Sequence, residues 1–308
     1  MNYRTLGSLQ VSSVGVGCNN FGGRLDADAT NEVVHSALEE GITFFDTADI
    51  YGETYSEEFL GRALKGRRAE AVIATKFGVR LDGAGFDASP DYVRSACEDS
   101  LRRLDTDFID LYQVHFPDAA TPIDDTLEAL AGLVEAGKVR EVGCSNFSAD
   151  QLRDARSAHP TLRFVSLQSQ YSLLARYPET DGTLAACGEL GMGFLPYYPL
   201  ANGLLTGKVR PGEPVPEGTR LALMPEDRRA HWLGDQLQQT VGRLLEFVDS
   251  LDSISLLECA FSWLLSRPGV TSVIAGASSP AQIRANAAAA RELPPEILAR
   301  LDDLTRPA

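Results

Sequence analysis

The sequence predicts a (β/α)8 TIM barrel with an N-terminal β-hairpin and a long insertion between barrel strands 7 and 8. Eight short apolar runs, rich in β-branched and aromatic residues, alternate with helical patterns along the chain. Parallel strands that are covered on both faces have this continuous apolar character. Eight such units within roughly 270 residues fit a closed barrel better than a doubly wound sheet.

The individual elements follow from local patterns. The apolar runs predict strands at residues 11–17, 42–48, 71–77, 108–115, 139–145, 164–170, 191–198 and 270–276. Helical patterns predict helices at residues 30–40, 90–104, 124–136, 149–157, 183–190, 256–266 and 280–290. Thr30 is a candidate N-cap for the first helix. The opening YRTLGSLQVSS predicts a hairpin that turns at Gly7 and Ser8 and plugs the N-terminal mouth of the barrel.

One segment breaks the regular spacing of the units. The last unit runs from Pro199 to Val270, and its residues 207–227 are rich in proline, glycine and charge. A loop of this length inside a compact domain is usually functional or mobile, although a tolerated surface insertion is the alternative. No linker or low-complexity segment divides the chain, so residues 1–308 are expected to form a single barrel domain.

Composition excludes several classes of function. The chain has 308 residues, 28 Lys and Arg against 43 Asp and Glu, and a net charge of −15. That charge repels nucleic acids and anionic membranes. No apolar run is long enough for a membrane span, and the N-terminus lacks a signal-peptide pattern. The 5 cysteines show no CxxC spacing, which favours free thiols and a cytoplasmic location. The oligomeric state cannot be predicted from these features.

Four ionisable residues follow consecutive predicted strands: Asp46, Tyr51, Lys76 and His115. Chemistry in such barrels occurs at the carboxyl ends of the strands, so these side chains are expected to converge. The set suits carbonyl reduction, because a lysine ammonium lowers the pKa of a nearby tyrosine and makes it a better proton donor. Taken singly, a structural ion pair or a buried core histidine is the alternative.

These residues lie in segments that resemble the aldo-keto reductase superfamily. GITFFDTADIYG, ATKFG and DLYQVHFPD are similar to the family's motifs for its second, third and fourth strands. The resemblance implies a catalytic tetrad of Asp46, Tyr51, Lys76 and His115, with Tyr51 as general acid. It also implies reduction of aldehydes or ketones with a nicotinamide cofactor that is bound without a Rossmann domain.

Later motifs resemble the cofactor site of the same family. GKVREVGCSNF, SLQSQYS, PYYPLANGLLTGK and IAGASSPAQIRANAAAA carry this similarity. The resemblance places these residues around the cofactor: Ser145, Asn146, Gln168, Tyr197, Leu200, Gly203, Gly276, Ser278, Ser279, Gln282 and Asn286. Many members have Lys or Arg in the last segment, where this chain has Ser278 and Gln282. Because members of the family mostly use NADP(H), we expect NADP(H) to be preferred, and because of this difference NAD(H) is possible.

Two other functions are compatible with parts of this pattern. Some relatives serve as cofactor-binding regulatory or partner subunits on the same barrel, with weak catalysis. An unrelated barrel isomerase or lyase could use Lys76 as a Schiff-base lysine, but it leaves Tyr51, Gln168 and Tyr197 unexplained. If the chain is a reductase, its expected partner is a small-molecule carbonyl substrate.

Overall fold

The computed structural model describes residues 1–306. A two-stranded antiparallel hairpin, β1 (Tyr3–Leu6) and β2 (Leu9–Ser12), opens the chain. Eight parallel strands then form a nearly closed barrel: β3 (Val14–Gly17), β4 (Phe44–Asp46), β5 (Val72–Phe77), β6 (Ile109–Val114), β7 (Val139–Ser145), β8 (Ser166–Gln170), β9 (Gly193–Tyr197) and β10 (Val273–Gly276). A parallel bridge between Phe194 and Val270 joins the ends of the sheet. The predicted fold class is confirmed.

Helices surround the barrel. They are α1 (Ala27–Glu39), α2 (Tyr55–Ala63), α3 (Pro90–Leu104), α4 (Ile123–Glu135), α5 (Ala149–Ala158), α6 (Tyr177–Thr180), α7 (Thr183–Leu190), α8 (Glu226–Trp232), α9 (Asp235–Asp249), α10 (Leu256–Leu265), α11 (Pro280–Ala289) and α12 (Pro295–Thr305). Short 3-10 segments occupy Arg68–Glu70 and Ala201–Thr206. No helix in the described range is both long and apolar enough to cross a membrane.

The hairpin closes the bottom of the barrel, as its sequence predicts. Gly7 at the turn has a φ of 59°, the left-handed conformation that glycine adopts without strain. One cluster of buried side chains joins the hairpin to the barrel interior: Leu6, Leu9, Val11, Phe44, Ala74, Leu111, Leu195 and Ile274. Because this end is filled, the open end lies at the carboxyl termini of the strands.

Some local predictions are wrong. Asp26, and not Thr30, caps α1, since its carboxylate accepts a hydrogen bond from the backbone N–H of Ala29 at 2.9 Å. The sequence patterns do not predict five of the helices, namely α2, α6, α8, α9 and α12. Buried Val241, Leu244 and Val248 of α9 have helical spacing, so this pattern could have revealed that helix within the insertion.

Candidate functional site

Asp46, Lys76 and Tyr51 form a connected group at the open end of the barrel. Lys76 Nζ donates to Asp46 Oδ2 at 2.7 Å and to the backbone oxygen of Thr47 at 2.8 Å. It lies 3.4 Å from the hydroxyl oxygen of Tyr51. Lys76 and Asp46 are both buried. They lie close together because β4 and β5 pair in parallel and end side by side. The structure therefore brings together three of the four residues that the sequence singles out at the strand ends.

The loop that carries Tyr51 is held at several points. The hydroxyl of Ser56 donates to the backbone oxygen of Cys18 at 2.9 Å, and the N–H of Ser56 donates to the backbone oxygen of Tyr51 at 3.2 Å. Gly52 has a φ of +56°, and a Cβ atom there would lie 2.3 Å from the backbone oxygen of Phe21. Glycine is therefore required next to Tyr51, and the close approach fixes the path of the loop.

The pKa values of Tyr51 and Lys76 are both raised, whereas the sequence predicts a lowered pKa for Tyr51. Burial raises the pKa of Tyr51 above its ordinary value, and the opposing effect of the Lys76 ammonium is smaller. The prediction that the ammonium lowers the pKa of Tyr51 is thus wrong for the net shift. Burial lowers the pKa of Lys76, but Asp46 and Tyr51 together raise it by more. At neutral pH the pair is consequently a neutral phenol beside a charged ammonium.

His115 completes the group from β6. Its ring packs edge-on against Tyr51, with ring centroids 5.9 Å apart, and stacks on the ring of Phe116, with centroids 5.1 Å apart. Burial and the nearby Lys76 ammonium lower the pKa of His115 to about 3. The imidazole is therefore neutral at physiological pH, and it borders the same cavity as Tyr51.

Two glutamines hold Asp46 from the other side. Gln168 Nε2 donates to Asp46 Oδ1 at 2.8 Å, and Gln113 Nε2 donates to the same oxygen at 3.2 Å. Gln168 is one of the residues predicted around the cofactor, but in the structure its amide N–H donates to Asp46. Gln113 was missed. An uncharged polar residue inside the apolar run FIDLYQVH could have indicated it.

A cavity of about 660 Å³ opens above this group. Asp46, Tyr51 and His115 line it. All but one of the residues predicted around a cofactor also line it: Ser145, Asn146, Gln168, Tyr197, Leu200, Gly203, Gly276, Ser278, Gln282 and Asn286. Ser279 is the exception. It caps α11, where its hydroxyl accepts a hydrogen bond from the backbone N–H of Gln282.

The amide of Asn146 is held by protein groups at both ends. Its Nδ2 donates to the backbone oxygen of His115 and to Ser145 Oγ, both at 3.0 Å. Its Oδ1 accepts from the hydroxyl of Tyr197 at 2.9 Å. These bonds orient Ser145, Asn146 and Tyr197 as one rigid unit in the cavity wall.

The loop before α11 is held by a hydrogen bond to the first turn of that helix. Gln282 Oε1 accepts from the backbone N–H of Ser278 at 2.8 Å and lies 3.2 Å from its hydroxyl oxygen. The free N–H groups at a helix start normally attract anions. In this chain a neutral side chain takes the N–H of Ser278, which directly precedes the N-cap residue Ser279.

Three cations that the sequence did not single out line the same cavity: Arg24, Lys208 and Arg220. Glu217 lines it as well. Arg220 lies over the ring of Tyr198, 5.4 Å from its centroid. Lys208 and Arg220 belong to the insertion, whose charge was noted but whose position over the barrel only the fold reveals. Positive charge within a cavity favours an anionic ligand.

Comparison with known proteins identifies the relatives of this chain. The pattern of the Aldo/keto reductase family matches residues 13–306. The chain belongs to this family. A probable aldo-keto reductase 1 of Glycine max is 41% identical over 208 residues, 65% of this chain and 59% of that protein. A probable voltage-gated potassium channel subunit beta of Arabidopsis thaliana is 33% identical, covering 96% of this chain and 92% of that protein.

A solved structure agrees with this assignment. The aldo-keto reductase AKR11C1 from Bacillus halodurans, in its holo form, superposes with a TM-score of 0.83 at 34% identity, covering 100% of this chain and 97% of the other. The predicted resemblance is confirmed. As a member of the aldo/keto reductase family, the chain is an oxidoreductase enzyme on a TIM barrel, and its family binds a nicotinamide cofactor.

Proposed function

We propose that the chain is an NADPH-dependent reductase that converts aldehydes or ketones into alcohols, with Tyr51 as the proton donor. The observation that carries this proposal is the position of Lys76 Nζ, 2.7 Å from Asp46 Oδ2 and 3.4 Å from the hydroxyl of Tyr51. Asp46 and Tyr51 border a cavity large enough for a small carbonyl compound beside a cofactor. Each side chain then has a distinct part in the reaction.

Tyr51 supplies the proton that the carbonyl oxygen needs. Its raised pKa keeps the phenol protonated at neutral pH. As the O–H bond breaks and the proton moves to the substrate oxygen, negative charge develops on the phenol oxygen. The Lys76 ammonium stabilises that charge, and this stabilisation is strongest in the transition state, where it accelerates the step. Asp46 and the oxygen of Thr47 hold the ammonium in place.

His115 orients the carbonyl group. A neutral imidazole can donate one hydrogen bond to the substrate oxygen without adding a second positive charge beside Lys76. With a pKa of about 3, His115 does not compete with Tyr51 as an acid. It thus acts through hydrogen bonding, while Phe116 provides an apolar surface next to it.

The cavity residues fit a nicotinamide dinucleotide. Ser145, Asn146 and Gln168 offer hydroxyl and amide groups that match a carboxamide. Tyr197 offers a ring for stacking. Leu200 and Gly203 offer backbone groups for phosphates, and Asn286 offers an amide for adenine. When bound, the reduced nicotinamide supplies the hydride to the carbonyl carbon.

Preference for NADP(H) over NAD(H) is part of the proposal. Arg24, Lys208 and Arg220 line the cavity, and the additional phosphate of NADP(H) gains most from such positive charge. The bond from Ser278 to Gln282 acts in the opposite direction, because it takes up a donor near the start of α11. We expect NADPH to bind more tightly than NADH, with a ratio that falls as salt concentration rises.

The decisive experiment measures oxidation of NADPH and NADH with 4-nitrobenzaldehyde, for the wild type and for Tyr51→Phe. Loss of a general acid typically lowers the rate by about 10²–10⁴-fold. Cofactor binding, followed by fluorescence titration, should stay unchanged in this variant. Tyr55→Phe is the matched control, since Tyr55 is an exposed tyrosine of the same loop region. Equal activity of Tyr51→Phe and the wild type would contradict the proposal.

A cofactor-binding regulatory or partner subunit is the alternative. The similarity to a probable potassium channel subunit beta over 96% of this chain supports it. The same experiment separates the two functions. Tight NADPH binding without turnover of a wide panel of aldehydes and ketones favours the regulatory subunit, and turnover that depends on Tyr51 favours the reductase.

A further inference from the structure

The loop that carries Tyr51 contains a buried carboxyl group that the proposed chemistry does not use. Asp49 is 3% exposed. Its backbone N–H donates to the backbone oxygen of Lys76 at 3.1 Å, so the loop lies directly against β5. Among residues 1–306, Asp49 Oδ1 has no hydrogen-bond partner. The backbone N–H of Ile50 favours the ionised carboxylate, but it leaves Oδ1 without a donor. A buried polar atom without a partner is costly, and such an atom in a native fold needs an explanation.

A buried acidic neighbour makes ionisation of Asp49 still less favourable. Glu57 of α2 is fully buried. One of its oxygens accepts from Thr75 Oγ1 at 2.5 Å, and the other accepts from Arg103 Nε at 2.6 Å. Arg103 is therefore already matched by Glu57, and an ionised Asp49 would add a second negative charge to the same buried region.

Charged and titratable groups reach Asp49 from every element packed against it. They are Glu57 from α2, Arg103 and Tyr92 from α3, Lys76 from β5 and Tyr112 from β6. The two cations among them have carboxylate partners of their own, Glu57 and Asp46. Burial and the Glu57 carboxylate raise the pKa of Asp49 to about 7, although Arg103, the backbone N–H of Ile50 and Lys76 act against this shift.

We propose that Asp49 is a positioning residue, which is protonated in the working enzyme and whose ionisation at higher pH loosens the loop that holds Tyr51. In its neutral form Asp49 is compatible with the buried Glu57. Its ionised form is repelled by Glu57, and movement of the loop toward water relieves the repulsion. Tyr51 lies only two residues further along the chain, so such a movement displaces its hydroxyl from Lys76. The kinetic part of this inference rests on the proposed reductase function.

The sign of the stability effect follows from proton linkage. The folded state binds the Asp49 proton more tightly than the unfolded state, whose pKa is near the ordinary value of 3.8. The stability that this proton contributes is complete below the ordinary value and is lost as pH rises toward and through about 7. A variant that is always neutral at this position avoids the loss.

Asp49→Asn tests the inference, because asparagine has nearly the same shape and no charge. For the wild type and the variant, kcat and KM are measured with NADPH and 4-nitrobenzaldehyde on both sides of pH 7. We expect the ratio of the variant's kcat to the wild-type kcat to rise at least about threefold from low to high pH, with KM for NADPH unchanged. Titration of Tyr51 affects both proteins and cancels in the ratio. A kcat ratio that does not change with pH overturns the inference.

Two further measurements do not need turnover. The melting temperature of Asp49→Asn should rise relative to the wild type as pH rises from acidic values through about 7. Asp110→Asn is the control. Asp110 is also buried, but its carboxylate accepts hydrogen bonds from Arg68 and Arg140. Loss of its negative charge should therefore lower the melting temperature, and the melting temperature of this variant should not rise relative to the wild type at high pH.

Infrared spectroscopy of the wild type gives an answer even if Asp49→Asn does not fold. A protonated carboxyl band that disappears above neutral pH supports the inference, and its absence at acidic pH, where exposed carboxylates are still ionised, overturns it. If the wild type reduces no carbonyl compound, the proposed function fails, while the infrared and melting data still decide the protonation of Asp49.

Discussion

The guanidinium of Arg24 donates to the backbone oxygen of Gly218 at 2.6 Å. Arg24 belongs to the loop after β3, and Gly218 belongs to the insertion between β9 and β10. Both residues line the central cavity, so this bond joins two loops across it. If the cofactor occupies that cavity, as proposed above, we expect this bond to slow its release.

Arg24→Ala should therefore speed cofactor release. Hydrogen bonds to charged groups are worth about 1.5–3 kcal/mol. Most of this loss should appear in the dissociation rate, and because the bond is exposed we expect the low end of the range, an increase of at least about tenfold. Stopped-flow fluorescence of NADPH measures the rate. Arg62→Ala is the control, because Arg62 lies exposed on α2. Equal dissociation rates in the two variants would contradict this interpretation of the Arg24 bond.

Asp46→Asn should destabilise the fold and abolish activity. Removal of the carboxylate leaves the fully buried Lys76 ammonium without its counter-ion. Breaking a buried pair in this way typically costs about 3–5 kcal/mol of the free energy of unfolding. Denaturant titration measures the change. Asp28→Asn, which removes an exposed partner of Arg62, should change stability by less than about 1 kcal/mol. Similar losses in both variants would show that Lys76 is not desolvated.

His115 should not titrate between about pH 5 and 8, since its pKa is lowered to about 3. The unfolded chain binds a proton at this residue near its ordinary value of 6.5, whereas the folded protein does so only near 3. Stability should consequently fall as pH decreases from about 6.5 toward 3. His115→Asn should reduce that slope, and NMR shifts of the imidazole protons test the pKa directly. A midpoint near neutral pH would refute the expectation.

The aromatic rings beside His115 should influence the choice of substrate. Phe116 lines the cavity, and Phe86 stacks on it with ring centroids 5.0 Å apart. A bridge between Val79 and Phe86 holds the latter in a small hairpin. Phe116→Ala and Phe86→Ala should lower kcat/KM for benzaldehydes relative to propanal about three- to tenfold, the worth of an aromatic pair.

Leu81→Ala provides the control for the aromatic rings. Leu81 lies exposed in the same segment and is not among the residues that line the cavity. Its substrate ratio should match the wild type. An unchanged ratio in Phe116→Ala would mean that this wall does not contact the substrate.

The site could be predicted in part from the sequence, because some of its geometry is local. Parallel strands end at one edge, so polar residues that close apolar runs must meet there, as Asp46 and Lys76 do. Gln113 escaped notice because one amide inside an apolar strand resembles an ordinary core substitution. Lys208 and Arg220 escaped because the path of a long insertion does not follow from its composition.

The sequence by itself determined the barrel, its hairpin plug and the four residues at the strand ends, since periodicity and strand termini are properties of short segments. The tertiary structure decided how strongly each side chain is desolvated and which distant groups it contacts. Burial, and not Lys76, sets the net direction of the pKa shift of Tyr51. The surroundings of Asp49 Oδ1, which has no hydrogen-bond partner among residues 1–306, and the bond from Arg24 to Gly218 depend on groups far apart in the chain, in the second case separated by 194 residues. Desolvation and long-range pairing depend on what surrounds a side chain in space, and only the folded chain supplies those surroundings.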